Sequence, residues 1–184
     1  MTRETYLEVK EKALELYEKA HIVLTEKEKE SLEVVNFSLN DVYRTGIEII
    51  VYVNTELVCA KEMALLPGQT CAEHIHTPVS GNSNYTGKEE TFRCRYGTVY
   101  LRVEDGQVTE NPIAKPPSGE EAYYTARHEI VLNPGDQFTL YPNTLHWFQA
   151  GPEGAVISEF STKSDDEYDI FTDTRINRMA GIDD

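Results

Sequence analysis

Apolar and polar residues alternate with two different rhythms along this chain. Over the first forty residues, MTRETYLEVKEKALELYEKA and its continuation, Leu, Ala, Glu and Lys recur in helix-forming runs, and Thr25 followed by Glu28 makes a capping box at a second start. That predicts two short N-terminal helices. From Ile47 onward the character changes to β-branched and aromatic runs punctuated by Gly, Pro and Asn: IEIIVYVN, LVCAKEMALL, CAEHIHT, EETFRCRY, TVYLRVE, HEIVLNP, DQFTLYP, LHWFQA and AVISEFS. No helical pattern intervenes between these strands, so the sheet is expected to be antiparallel and closed or sandwiched rather than built from βαβ units. The reading is mainly β: a barrel over 46–162, a helical extension over 1–45, and a tail over 163–184 packed on the barrel, all one domain. The polar, Gly/Pro-bearing stretches 77–87 and 110–126 read as loops, because strands continue on both sides of each.

Charge narrows the function classes. Seventeen basic and 32 acidic residues give a net charge of −15, and no basic block follows a phosphate backbone, so nucleic acid is excluded as the expected partner. No apolar run is long enough for a membrane span, and the amphipathic N-terminus does not resemble a signal peptide. The expectation is a cytoplasmic protein. Cys59, Cys71 and Cys94 are odd in number and widely spaced, which predicts three reduced, mostly buried thiols.

Candidate chemistry begins with His74-Ile75-His76, whose period of two puts both imidazoles on one face of a strand. In KEETFRCRY, Glu90 shares a face with Lys88, Phe92, Cys94 and Tyr96, whereas Glu89 sits with Thr91, Arg93 and Arg95. A carboxylate and an ammonium on an apolar face must be paired or bound. Two readings stand: an internal Lys88–Glu90 salt bridge, or a metal site completed by Glu90 with Lys88 pointing into a cavity. His146 shares its face with Phe148, again inward, and Trp147 then faces outward, toward an outer core or a dimer interface. Several tyrosines, Tyr96 on the Glu90 face among them, are candidates to line a polar cavity. His21 and His128 have no ligand-type neighbours and are assigned no function.

Taken together, Gly68 with His74 and His76, Glu90 with Gly97, and Gly135-DQFTLY-Pro142 with His146 resemble the two motifs of the cupin superfamily. The resemblance implies a double-stranded β-helix, or jelly-roll barrel, in which His74, His76, Glu90 and His146 hold one divalent metal. Thirteen residues, 77–89, lie between His76 and Glu90, a longer interval than the general pattern has. Strand parity and the step to Gly97 select Glu90 over Glu89.

Lys88-x-Glu90, the stretch HWFQAGPEGAVISEFST with Glu159, and the acidic KSDDEYDIFTD after it are similar to the cupin-type D-lyxose isomerases, which interconvert aldoses and ketoses. That likeness implies manganese as the metal (cobalt, iron, nickel and zinc being other candidates), a homodimer, and a free sugar such as lyxose or mannose as substrate. It implies Glu159 as the proton-shuttling base, Lys88 as its cationic partner, and Asp169 with Phe171 at the sugar. The residue types suit the reaction: a metal stabilises charge developing on O1 and O2, and a carboxylate moves a proton between C1 and C2 through an enediol. Strand alternation alone leaves the direction of Glu159 open, because Val156 and Phe160 on the opposite face are also apolar. Asp165 and Asp166 read as a solvated acidic tail; Arg175 and Arg178, one helical turn apart, either clamp that tail on the barrel or reach an anionic substrate, the structural role being preferred. Alternative readings of the same ligands are a phosphosugar isomerase, an iron-dependent dioxygenase, or a non-catalytic sugar-binding or regulatory cupin.

Overall fold

The computed structural model describes residues 1–39, 41–78 and 86–178; of the 77–87 loop, positions 79–85 lie outside the described residues. Helix α1 (Arg3–Lys19) is longer than expected; it starts at Thr2, whose side chain accepts from the Thr5 amide. Its buried residues Val9, Ala13, Leu16 and Tyr17 fall on one stripe, so tertiary packing rather than propensity fixes its length. Helix α2 (Glu26–Glu30) has the predicted capping box, with Thr25 and Glu28 each accepting from the other's backbone amide.

Nine strands follow: β1 (Glu33–Val35), β2 (Ile47–Asn54), β3 (Cys59–Leu65), β4 (Thr70–Ile75), β5 (Glu90–Val103), β6 (His128–Leu132), β7 (Gln137–Leu140), β8 (His146–Ser161) and β9 (Ile170–Phe171). All strand pairs are antiparallel. Strands β5 and β8 pair along their whole length and serve both halves of the barrel. The first half of β5 and the second half of β8 sit with β7, β3, β2 and β1, whereas the second half of β5 and the first half of β8 sit with β6, β4 and β9. The main core joins the inner faces of the two halves, with Ile47, Ile49, Met63 and Phe92 from one and Val99, Leu101, Phe148 and Ala72 from the other. This is the cupin barrel.

The sequence divides β5 at Gly97 and β8 near Gly154, where the structure has two unbroken strands that bend together. Gly97 (φ +67°) lies against Gly154 (φ +80°), and a Cβ on Gly97 would stand 2.0 Å from the Gly154 carbonyl oxygen. Only a glycine permits both the left-handed backbone and that approach. Gly97→Ala is expected to cost about 2–3 kcal/mol. Denaturant midpoints check it, and an unchanged midpoint would show that the bend tolerates a side chain.

Outside the barrel, α1 covers the outer face of β2, β3 and β8, burying Ile50, Ala64 and Val156, and the Tyr17 hydroxyl lies 2.9 Å from the Glu48 and Glu62 carbonyl oxygens. Tyr96 belongs to this outer cluster and not to the cavity. The register shift between Cys94 and Tyr96 breaks the alternation that would have pointed it inward. Trp147 is buried with Ala114, Ala126 and Tyr124 beneath the 110–126 loop, an outer core rather than an exposed surface. Glu73 pins that loop, accepting from the Thr125 and Ala126 amides at 2.6 and 2.8 Å, and also accepts from the Thr172 hydroxyl at 2.8 Å. The three cysteines are buried and free.

Candidate active site

Antiparallel register places the candidate ligands. His74 on β4 is the direct cross-strand partner of His146 at the start of β8, while Glu90 opens β5 opposite Ser161 and Leu140 on the other half of the barrel. His76 follows β4 at the position parity predicts. The four side chains meet in the barrel interior, all buried, with their ligand atoms within 4.8 Å of one another. Glu89, by contrast, is exposed.

The orientation of each imidazole is set by a bond from its far nitrogen. His74 Nδ1 meets the Ala72 carbonyl at 2.7 Å, His146 Nδ1 the Thr144 carbonyl at 2.9 Å, and His76 Nδ1 the Asp169 carboxylate at 2.5 Å. Each acceptor holds a proton on Nδ1 and so turns the lone pair of Nε2 toward the cluster centre, the arrangement that partners of metal-binding histidines provide. His76 Nε2, His146 Nε2 and Glu90 Oε1 are buried without a hydrogen-bond partner, although Glu90 Oε1 lies 3.3 and 3.1 Å from the two nitrogens. Three orphaned acceptors converging on one point are costly unless a cation occupies it. Ligands on opposite sides of one ion stand about 4.4 Å apart, twice a typical bond length. The observed spread exceeds that by a few tenths of an ångström, so the donor set fits one divalent ion. Burial and Lys88 lower the His76 pKa, yet Glu90 and Asp169 outweigh them and raise it. His74 is driven well below its ordinary value by burial and by the imidazoles of His146 and His76.

Next to the cluster is a cavity of about 400 Å³, mouth included, whose wall contains His74, Lys88, Glu90, Glu159, Asp169 and Phe171. Both readings of Lys88 hold at once: its ammonium is 2.7 Å from Glu90 Oε2, and it faces the cavity, 3.4 Å from Glu159 Oε1. Burial alone would lower the Lys88 pKa, but Glu159 and Glu90 hold it well above the usual lysine range. Conversely, burial would raise Glu90, and Lys88 with His76 brings it well below the usual carboxylate range. Glu159 points inward, settling what alternation left open; its Oε1 also accepts from the Ser161 hydroxyl at 2.9 Å. Asp169 both holds His76 and reaches the cavity wall, and Phe171 packs 5.5 Å from the His74 ring.

Two charged cavity residues, Lys61 and Asp166, escaped the sequence reading. Lys61 on β3 is buried and bonds Ser164 Oγ at 2.8 Å and Asp166 Oδ1 at 3.2 Å. The signal was present: Lys61 alternates with Cys59 and Met63 on the inward face, as Lys88 does with Phe92. Asp166 is not a solvated tail residue, because the chain after β8 folds back over the barrel mouth and seats it against Lys61 and Arg178. Arg178 clamps the tail as expected, bonding Asp166 at 2.9 Å and Glu33 at 3.2 Å, and also lines the cavity. Arg175 is turned outward, onto Asp173 and Glu120.

The D-lyxose isomerase family model matches residues 33–184. The chain is 60% identical over 177 residues to a D-lyxose/D-mannose isomerase of Thermosediminibacter oceani, covering 96% of each protein. It is 53% identical over 182 residues to a D-lyxose ketol-isomerase of a Thermofilum species, covering 99% of each. Among solved structures, Cellulomonas parahominis L-ribose isomerase with L-ribose has the same fold, with a TM-score of 0.77 at 18% identity over 99% of this chain and 98% of that one. The barrel, the four-residue cluster and these likenesses agree: this chain belongs to the D-lyxose isomerase family and is an aldose–ketose isomerase.

Proposed function

We propose that the enzyme acts on free sugars, interconverting D-lyxose with D-xylulose and D-mannose with D-fructose, with His74, His76, Glu90 and His146 as ligands of one manganese ion. The observation that carries this reading is the buried chain Glu90–Lys88–Glu159, which puts a carboxylate and an ammonium in the same cavity as the ligand cluster. A divalent metal held by His74, His76, Glu90 and His146 would supply Lewis-acid stabilisation of the charge that develops on the sugar oxygens. Glu159 is the base that takes the proton from C2 and returns it at C1, while the hydroxyl proton of O2 passes to O1 through the enediol. Lys88 and Ser161 fix one of its oxygens; among the described residues the other accepts no hydrogen bond and is left for the substrate. Lys88, kept protonated by its two carboxylates, acts as a fixed positive charge beside the developing enediolate and not as a base. Asp169 keeps His76 in its ligating orientation and, with Phe171, borders the sugar.

The manganese assignment and a homodimeric working unit are carried over from the family resemblance; of the donors, the Glu90 carboxylate suits manganese, while the three imidazoles suit iron, nickel or zinc as well. Three free, buried thiols suit the reducing cytoplasm. A phosphosugar is disfavoured because the cavity cations Lys61, Lys88 and Arg178 are each engaged by a carboxylate. Oxygen chemistry leaves Lys88 and Glu159 without a task.

Incubating the manganese-loaded protein with a panel of pentoses and hexoses and measuring ketose tests the reading. Xylulose from lyxose and fructose from mannose are expected. No ketose from any aldose would end it.

A further inference from the structure

Asp166, Lys61 and Arg178 line the cavity, yet the reaction as proposed uses none of them. Asp166 sits in a single turn after β8. Its Oδ1 accepts from Ser164 Oγ at 2.6 Å and Lys61 Nζ at 3.2 Å, and its Oδ2 accepts from Arg178 Nη2 at 2.9 Å. An ionised carboxylate offers roughly four lone-pair positions. Three are occupied, and one remains on a group that faces the cavity. Burial would raise the Asp166 pKa, but Lys61, Lys88 and Arg178 hold it far below the usual range. Asp166 is therefore an acceptor only, and a ligand there must donate.

Its position follows from the strand order. Glu90 is on β5, Glu159 on β8 opposite Phe92, and Lys61 on β3 opposite Glu159, with Asp166 beyond Lys61. From β5 to β3 is two strand spacings, about 10 Å. With the side chains on both strands leaning inward, the gap left between them is of the order of an extended pentose.

We propose that Asp166 is a specificity-determining residue of the sugar site: with C1 and C2 at the four-residue cluster, its carboxylate accepts a hydrogen bond from the terminal hydroxyl of the open-chain aldose. The inference rests on the isomerase reading above. Lys61 and Arg178 offset the cost of burying the carboxylate and fix its direction. Asp166 is partly buried, its side chain 24% exposed, and an acceptor shielded to that degree without its hydroxyl partner is still penalised more than an apolar pocket that loses a methylene. Asp166 thus selects for a hydroxyl at the chain end.

The test is a substrate–variant cycle comparing D-lyxose with 5-deoxy-D-lyxose on the manganese-loaded wild type and on Asp166→Asn, with bound metal measured in both. The wild type is expected to lose at least tenfold in kcat/KM, mainly through KM, on the deoxy sugar; the variant is expected to lose less than threefold. A merely structural Asp166 would lower activity on both sugars alike and leave the ratio unchanged, which would overturn the proposal. Should Asp166→Asn not fold, the wild-type comparison alone decides: equal kcat/KM for the two sugars overturns it. A wild type inactive on every aldose would instead defeat the isomerase reading.

Discussion

Glu159→Gln is expected to lower kcat on the preferred aldose by about 10²–10⁴, the range for losing a positioned general base. KM should change little, and manganese should bind in full. The amide keeps the size of the side chain and an oxygen able to accept from Ser161 and Lys88, so the cavity wall is preserved. What it loses is the capacity to take a proton. The substitution also removes one of the two carboxylates that hold the Lys88 ammonium, but Glu90 remains at 2.7 Å, so Lys88 stays charged. Steady-state kinetics with metal analysis on the same preparation separates the roles. A turnover within threefold of wild type at full metal occupancy would remove Glu159 from the proton path. A kcat loss accompanied by lost metal would instead point to collapse of the neighbouring cluster through Lys88.

The parts of this site that were readable in the sequence are those governed by strand parity over short distances. In His74-x-His76 and Lys88-x-Glu90 one member is in a strand and the other lies just beyond its end, yet the extended chain keeps the spacing of two, so each pair shares a direction, and the apolar Phe92 and Cys94 identify that side as inward. Parity fails where a strand bends. Tyr96 is two residues beyond Cys94, yet the bulge beside Gly97 turns it out to the α1 cluster. It also fails where both faces are covered: Glu159 lies between Ser158, which is buried on the α1 side by β3 and Glu62, and the inner cavity. Nothing local distinguishes those two interiors.

Non-local placement was the larger gap. An acidic run such as KSDDEYD carries no periodicity, and the placing of Asp166 depends on the buried ammonium of Lys61, 105 positions away on the inner face of β3, which needs a carboxylate partner. Likewise β9 is two residues long and exists because Phe171 and Ile170 pair with His74 and Ile75. The merging of predicted strands into β5 and β8 has the same origin: glycines that locally signal a turn serve here as the contact between two strands that bend in parallel.

Glu48→Gln is expected to leave stability nearly unchanged at pH 5 and to raise it, relative to wild type, by on the order of 4–5 kcal/mol at pH 9. Glu48 alternates with Ile47 and Ile49, so it points away from the cavity, and α1 seals it there: it is fully buried. Its Oε1 accepts from Gln69 Nε2 at 2.9 Å and its Oε2 has no partner. Burial, only partly opposed by that bond from Gln69, pushes the carboxyl from 4.5 up to about 8. The folded chain therefore keeps this proton up to about pH 8, while the unfolded chain releases it near 4.5. Between those values the folded state binds more protons, so stability falls as pH rises, and above about 8 the full cost of a buried, half-partnered carboxylate is present. Glutamine accepts the same bond from Gln69 and does not ionise. For a chain of this length, where 1 kcal/mol moves the melting temperature by about 2–4 °C, the two proteins should melt together at pH 5 and about 10 °C or more apart at pH 9. Parallel melting curves across that range would mean that the folded Glu48 ionises near its ordinary value, and that water reaches the α1 interface. Because Glu48 is on the outer face of β2, the variant should keep wild-type metal content and turnover at pH 7. That separates the cost of holding α1 on the barrel from the chemistry inside it.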